Sequence, residues 1–304
     1  MKQPILIPVV NQGFEINYLS PDNQFNEWHN KFNDSTEMFS QLESLFQLHM
    51  HDVLEILVFL EGECEFFCEG KTYHLKRGDV VVIPPYAVHR AIVKDIESYE
   101  RIIVSISEDL LEDFVSISPA IQENIILHKT QSSYVLHLHS QNFQDAISLV
   151  DEIIKRMNNG QKAYSFALHY QLFKMLQVIY NPEINKPNLS KKDEIDNRFA
   201  SVLEYIESHL TEPNLSLDTV SNHFHLNKYY FSHYFKKNMN FPFYRYVSLK
   251  RLSYAVLMIK QNQVSMEKIA LECGFPDYSS FYRLFKKEYN LSPKKFQKEY
   301  KALD

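Results

Sequence analysis

The chain has 304 residues, 45% hydrophobic and 23% charged, with a formal net charge of −6. That length suits two domains, each with its own core. No stretch approaches the roughly 18 apolar residues of a membrane span, and the run from Pro4 to Val10 is too short for a signal peptide and lacks a cleavage pattern. A cytoplasmic protein with no membrane partner is expected. Cys64, Cys68 and Cys273 make no disulfide framework; Cys64 and Cys68 stand about 13 Å apart along strand-like sequence, beyond the reach of a bridge. The charge is divided: residues 191–304 carry 18 Lys and Arg against 13 Asp and Glu, and residues 1–190 carry 14 against 25. An acidic half beside a basic one points to a nucleic-acid partner at the C-terminal end only. Binding there should depend on salt without being dominated by non-specific attraction.

Six strand-like runs open the chain's organised part: Leu54–Leu60, Glu63–Glu69, Thr72–Leu75, Val80–Ile83, Val88–Val93 and Arg101–Ile106. Gly62, Gly70 and Gly78 punctuate them every eight residues, the rhythm of a short-strand meander. A small antiparallel barrel closes such strands. Within it, His49-x-His51, Glu55 and Gly62, followed by Gly78, Pro84 and His89, resemble the cupin double motif over about residues 45–107. Tyr86 stands where many cupins carry glycine. Strand alternation would put His49, His51 and Glu55 on one face, and a neighbouring strand can bring His89 beside them. Three imidazoles and a carboxylate suit Zn, Fe, Mn or Ni. They suit equally a polar floor for a small-molecule effector, walled by Ile56, Phe66 and Val81 or their neighbours, or histidines bonded only to the barrel backbone. Arg101 reads as a further effector contact or as a strand-edge partner of Glu97 or Glu100.

Next, Phe143, Ile147, Val150, Ile154 and Met157 recur at spacings of 4, 3, 4 and 3, and Asn158-Asn159-Gly160 ends that helix. A second helix carries Leu168, Leu172, Met175 and Ile179 on one line and Phe166, Tyr170 and Phe173 on another. Two apolar lines suggest one face on the barrel and one on a partner; a plain cover for the barrel fits as well. Residues 181–196 are polar, with two prolines, and read as a linker.

The last hundred residues repeat themselves. Ser216-Leu217-Asp218-Thr219-Val220-Ser221 aligns with Ser265-Met266-Glu267-Lys268-Ile269-Ala270, and Phe231, Phe235, Lys236, Lys237 and Asn240 recur as Phe281, Phe285, Lys286, Lys287 and Asn290. Ser216 and Ser265 suit N-caps of short helices, and Asn227 and Asp277 suit N-caps of second helices ending near Lys237 and Lys287. His225 and Gly274 hold the turns between, where a left-handed backbone favours glycine and tolerates histidine. Two helix-turn-helix units follow, so one monomer could grip two successive major grooves. Leu249, Leu252, Val256 and Ile259 mark a linker helix of roughly 16 residues between them, and Phe199, Val202, Leu203, Ile206 and Leu210 an amphipathic helix before them. A generic helical bundle would need no duplication, matched caps or paired lysines.

Arg251-Leu252-x-x-Ala255, Ile269-Ala270, Gly274-Phe275, Phe281-x-x-x-Phe285-Lys286 and Ser292-Pro293 resemble the signature of the AraC/XylS transcription regulators over roughly residues 195–300. Ser221 replaces the usual Ala, and Asn227 the common Ser, both tolerable. The resemblance implies a multidomain α+β chain: a cupin-like effector-sensing barrel in residues 1–140, a helical dimerisation segment in 141–180, a linker in 181–196 and an AraC-type DNA-binding domain in 197–304. It implies bacterial transcription control, most often activation, with promoter DNA, RNA polymerase, a second copy of the chain and a small-molecule effector, a sugar as first candidate, as partners. The base- and phosphate-facing residues would be Lys228, Tyr229, Ser232, His233, Lys236 and Lys237 on one recognition helix and Tyr278, Ser279, Tyr282, Arg283, Lys286 and Lys287 on the other. The effector contacts would be His49, His51, Glu55, His89 and Arg101, with no cofactor required and a divalent metal on the three histidines and Glu55 as the variant. The rival class is a metal-dependent cupin dioxygenase or isomerase with an accessory helical domain.

Overall fold

The computed structural model describes residues 5–7, 13–20, 46, 48–117, 135–158, 166–179, 197–240, 242–261 and 264–301. The linker at 181–196 lies outside them, as do Asn159 and Gly160.

Among the described residues, ten strands build the first part: β1 (Ile5–Ile7), β2 (Phe14–Leu19), β3 (His49–His51), β4 (Leu54–Glu61), β5 (Cys64–Cys68), β6 (Lys71–His74), β7 (Asp79–Ile83), β8 (His89–Val93), β9 (Glu100–Ile106) and β10 (Val135–His137). They form two five-stranded sheets, β1-β3-β8-β5-β6 and β10-β7-β4-β9-β2. Pairing is antiparallel throughout except between β1 and β3. The second sheet is covered on both faces, which is why β4 reads as a continuous apolar run rather than an alternating one. Leu54, Ile56 and Val58 face a helical layer, while Leu57 and Phe59 face the barrel interior with Phe66, Val81, Ile83 and Tyr99. Ile56, expected as a pocket wall, therefore points the other way, and Leu57 takes its place.

The helical layer is α1 (Glu108–Ile117), α2 (Ser140–Asn158) and α3 (Phe166–Ile179). Leu168, Leu172, Met175 and Ile179 are fully buried against the sheet. Of the second apolar line, Phe173 packs inward on Phe114, whereas Phe166 and Tyr170 stack on each other and remain 85% and 51% exposed.

Among the described residues, seven helices form the C-terminal part: α4 (Asn197–Ser208), α5 (Leu217–His223), α6 (Lys228–Met239), α7 (Phe243–Gln261), α8 (Met266–Glu272), α9 (Tyr278–Tyr289) and α10 (Pro293–Lys301). The linker helix α7 is 19 residues long. Its expected single stripe is only part of its contact surface: Tyr246, Val247, Arg251, Ser253 and Ala255 are buried too, because α7 lies between the helix-turn-helix units and the barrel. Leu48, Met50, Phe67, Tyr86 and Val88 of the barrel belong to the same core as the C-terminal helices.

Candidate nucleic-acid interface and ligand site

Each helix-turn-helix unit is built by the capping its sequence encodes. In the first, Ser216 Oγ accepts from the Thr219 amide at 3.2 Å while the Ser216 amide donates to Thr219 Oγ1 at 2.8 Å, a reciprocal box. Asn227 Oδ1 then accepts from the amides of Tyr229 and Tyr230 at the start of α6. In the second unit, Ser265 caps α8, and Asp277 caps α9 by accepting from the Ser280 amide at 2.7 Å. Both second helices run to Met239 and Tyr289, two residues past the expected Lys237 and Lys287 ends, and close on a left-handed asparagine, Asn240 and Asn290. The turn residues His225 and Gly274 both take positive φ, +52° and +81°.

The two second helices share one burial pattern. Phe231, Phe235 and Met239 face inward on α6 as Phe281, Phe285 and Tyr289 do on α9. Opposite them, Lys228, Tyr229, His233, Lys236 and Lys237 are exposed and Ser232 half-buried on α6; Ser279, Arg283, Lys286 and Lys287 are exposed and Tyr278 and Tyr282 half-buried on α9. All twelve residues assigned to DNA thus lie on outward faces. Lys228 is already engaged, its ammonium 2.6 Å from Asp218.

In the barrel, His49 and His51 sit on β3 and His89 on β8, paired across the register with His49. Glu55 is not on the same strand as the first two: the chain bends at Asp52 and Val53, and Glu55 enters from β4 in the opposing sheet. The four still converge. The ring nitrogens of His49, His51 and His89 lie within 4.8 Å of one another, with His51 Nε2 2.9 Å from Glu55 Oε2 and His89 Nε2 3.9 Å from Glu55 Oε1. His51 Nδ1 donates to the Val53 carbonyl and His89 Nδ1 to the Ala87 carbonyl. The Ala87 bond fixes the tautomer of neutral His89 and turns its bare Nε2 inward, while His51, which donates to a carbonyl through Nδ1 and to the Glu55 carboxylate through Nε2, carries both protons. His89 Nε2 is buried with no hydrogen-bond partner. Burial opposes charge on Glu55, but the bond from His51 and the nearby imidazoles outweigh it and hold the carboxyl at about 2. Burial and the neighbouring imidazoles push His89 well down, so it is neutral.

Arg101, on β9, donates to the carbonyl and side-chain oxygens of Asn17 on β2 at 3.3 and 2.8 Å rather than pairing with Glu97 or Glu100. Tyr86 has φ +62°, a left-handed backbone where the cupin pattern carries glycine. A separate cleft of about 230 Å³, lined by Tyr18, Arg77, Glu100, Phe143 and Asp151, opens on the helix-covered side of the second sheet, away from the histidines. Glu69, Lys250, Asp52 and Lys260 carry buried contacts between the two parts that the sequence does not flag, since 181 positions separate Glu69 from its lysine.

Two sequence profiles match this chain: the AraC-like ligand binding domain over residues 41–173 and a helix-turn-helix domain over residues 220–299. The chain is 24% identical to the arabinose operon regulatory protein of Escherichia coli over 231 residues, 75% of each protein. It is 21% identical to the transcriptional activator RhaS of Mannheimia succiniciproducens, covering 84% of this chain and 90% of that one. Similarity to the regulatory protein PocR of Salmonella typhimurium, 29%, spans 39% of this chain and 40% of that protein. A ligand-binding barrel joined to a doubled helix-turn-helix defines a one-chain transcription regulator, not an enzyme. The chain belongs to the AraC family of transcriptional regulators. Among the described residues no helix is long and apolar enough to cross a membrane.

Proposed function

We propose that this chain is a cytoplasmic transcription activator that binds promoter DNA through both helix-turn-helix units and answers to a small molecule, with a carbohydrate as first candidate. The observation that carries the DNA reading is the repeated pattern on α6 and α9: phenylalanines inward, hydroxyl-bearing and cationic residues outward, on both copies. Two recognition helices one DNA turn apart need a spacing of about 34 Å, and the 19 residues of α7 supply about 28 Å of it. Footprinting over the neighbouring promoters, with and without a panel of sugars, should show protection of successive major grooves on one face of the DNA. Protection of no promoter, or of a single groove, refutes the reading.

Arg283 is the side chain best placed for a bidentate guanine contact. Arg283→Ala should relax the preference at one position of the operator and cost about 1–3 kcal/mol there. The lysine pairs have a different role. Lys236→Ala, Lys237→Ala, Lys286→Ala and Lys287→Ala should weaken binding to all sequences alike, and at least one of each pair should lower the salt slope by about 1. Titrations at several salt concentrations separate the two effects, and unchanged slopes would make the lysines mere helix-end solvation.

The effector seat is the interior bounded by His49, His51, Glu55 and His89, with Arg101 at its edge. A polyhydroxyl ligand can satisfy several imidazole and carboxylate partners at once, and the similarity to the arabinose operon regulatory protein supports a sugar. A specific observation also favours a divalent metal: two imidazoles held by backbone carbonyls and turned to present Nε2, one of them unpartnered, with a third beside them. The donors fit such an ion, which would take His49, His51 and His89 with Glu55 and provide a positive anchor for an anionic or hydroxylated ligand. Elemental analysis of protein purified without added metal decides between them. Near-stoichiometric Zn, Fe, Mn or Ni supports the ion; its absence, with a sugar-induced thermal shift lost in His51→Ala and His89→Ala, supports the direct seat.

The chain is further proposed to recruit RNA polymerase and to act as a homodimer through α3, whose stacked Phe166 and Tyr170 face solvent. Phe166→Ser with Tyr170→Ser should convert dimer to monomer in sedimentation velocity; a dimer that survives both changes places the contact elsewhere.

A further inference from the structure

The cleft outside the barrel has a chemistry of its own. It lies between α2 and the outer face of the second sheet, whereas the histidine cluster meets Glu55 on the inner face of that sheet. Its floor is apolar, with Leu60 and Ile102 from the strands and Phe143 and Ile147 from the helix. At about 230 Å³ it falls below the usual size of a drug-sized site and suits a compact metabolite.

Charge of both signs rims that floor, and the fold sets it there. The register of β4 on β9 shifts between Phe59 and Glu61, and a bulge of this kind leaves one residue outside the ladder. That residue is Leu60, whose carbonyl accepts from Arg77 Nη1 at 3.1 Å. The same guanidinium lies over the Phe143 ring, 5.7 Å from its centre, and 3.8 Å from Glu61. Glu61 is the register partner of Glu100, so the Arg77 guanidinium and the Glu100 carboxylate come to one end of the cleft. Tyr18 donates to Glu100. Asp151 stands further along. Phe143, Ile147 and Asp151 follow at four-residue spacing on one face of α2, and the eight steps from Phe143 to Asp151 span about 12 Å. Burial, the bond to Glu100 and the charges of Glu100 and Asp151 push the Tyr18 hydroxyl up to about 12, so it remains a donor at neutral pH.

We infer that this cleft binds a basic α-amino acid, with lysine as the type. One guanidinium against two carboxylates leaves the cleft with one net negative charge, and a basic amino acid carries one net positive charge. The α-carboxylate of the ligand meets Arg77, in the paired geometry that a guanidinium favours. Its α-ammonium meets Glu100 alongside. The apolar stem lies over Ile102 and Ile147, and the terminal ammonium meets Asp151. A neutral amino acid leaves Asp151 unmatched, and a diamine leaves Arg77 unmatched. Because the two seats lie on opposite faces of one sheet, the cleft fills independently of whatever the histidine cluster holds.

Calorimetry on the full-length protein tests this with three probes: L-lysine, L-norleucine, which lacks the terminal amine, and cadaverine, which lacks the carboxylate. Lysine should bind once per chain, and each analogue about tenfold more weakly. Asp151→Asn should weaken lysine about tenfold and leave norleucine unchanged, and Arg77→Met should weaken lysine as much and leave cadaverine unchanged. Both side chains are exposed, so neither change opens the core. His89→Gln should alter none of these affinities. Absence of lysine binding at millimolar concentration overturns the proposal, and so does equal affinity for the three probes. Lysine binding that survives both Asp151→Asn and Arg77→Met, or that His89→Gln removes, puts the ligand elsewhere and overturns it as well.

Discussion

Gly274→Ala is expected to destabilise the second helix-turn-helix unit by about 3 kcal/mol and to lower operator affinity with it. Two causes add. The φ of +81° is one that an L side chain adopts at a cost, and a Cβ there would stand 2.8 Å from the Thr211 carbonyl oxygen and 2.9 Å from Arg251 Nε, closer than such atoms come. Thr211 is backbone and cannot swing aside. The same place in the first unit is His225, at φ +52° and exposed to solvent. His225→Gly should leave stability unchanged or raise it by up to about 1 kcal/mol, since glycine relieves the same backbone cost. Thermal melts of the two variants compare one backbone conformation in two surroundings. Equal losses at both positions would show that close packing around Gly274 is not the cause.

Arg251→Met should cost about 3 kcal/mol. The Arg251 guanidinium is buried and donates to the Leu210 carbonyl at 2.8 Å and to the Glu212 carbonyl at 2.6 Å, closing the loop that follows α4 onto α7. Methionine keeps the apolar stem and strands both carbonyls, each a charge-assisted acceptor worth about 1.5–3 kcal/mol. Arg251→Lys should recover only part, because an ammonium lacks the planar fork that reaches two carbonyls at once. Arg251 and Gly274 meet at the same loop, so the double variant Arg251→Met with Gly274→Ala should lose less than the sum of the two. Strict additivity in denaturant titrations would show that they act on separate parts.

That meeting point explains why so much of the DNA-binding part could be read beforehand. The residues that carried the family resemblance are those whose replacement the fold cannot absorb: Arg251 and Gly274 at one knot, Phe281 and Phe285 in the second core. The caps Ser216, Asn227, Ser265 and Asp277 were legible because a cap acts within three residues of itself. The strand runs were legible for a similar reason, with Gly62, Gly70 and Gly78 each sitting at φ above +80° or at it. Less local elements were missed. The strand Phe14–Leu19 and the helix Glu108–Ile117 had signals available, the first in its alternation and the second in Ser107, whose hydroxyl meets the Leu110 amide at 3.4 Å. Nothing local marked β3 as separate from β4.

By itself the sequence determined the duplicated helix-turn-helix, its helix ends to within two residues, the family, and the four polar residues that converge in the barrel. These follow from periodicity, capping and turn chemistry, which operate over a few residues and need no knowledge of what lies opposite. Only the tertiary structure decided which side of β4 faces the histidines, why α7 is buried on almost every side, and that Glu69 reaches Tyr246 and Lys250. An apolar residue looks the same in sequence whichever layer covers it, and a carboxylate carries no mark of a lysine far along the chain. Those choices are made where two surfaces come together, and burial leaves each charge in need of the partner that the other surface supplies.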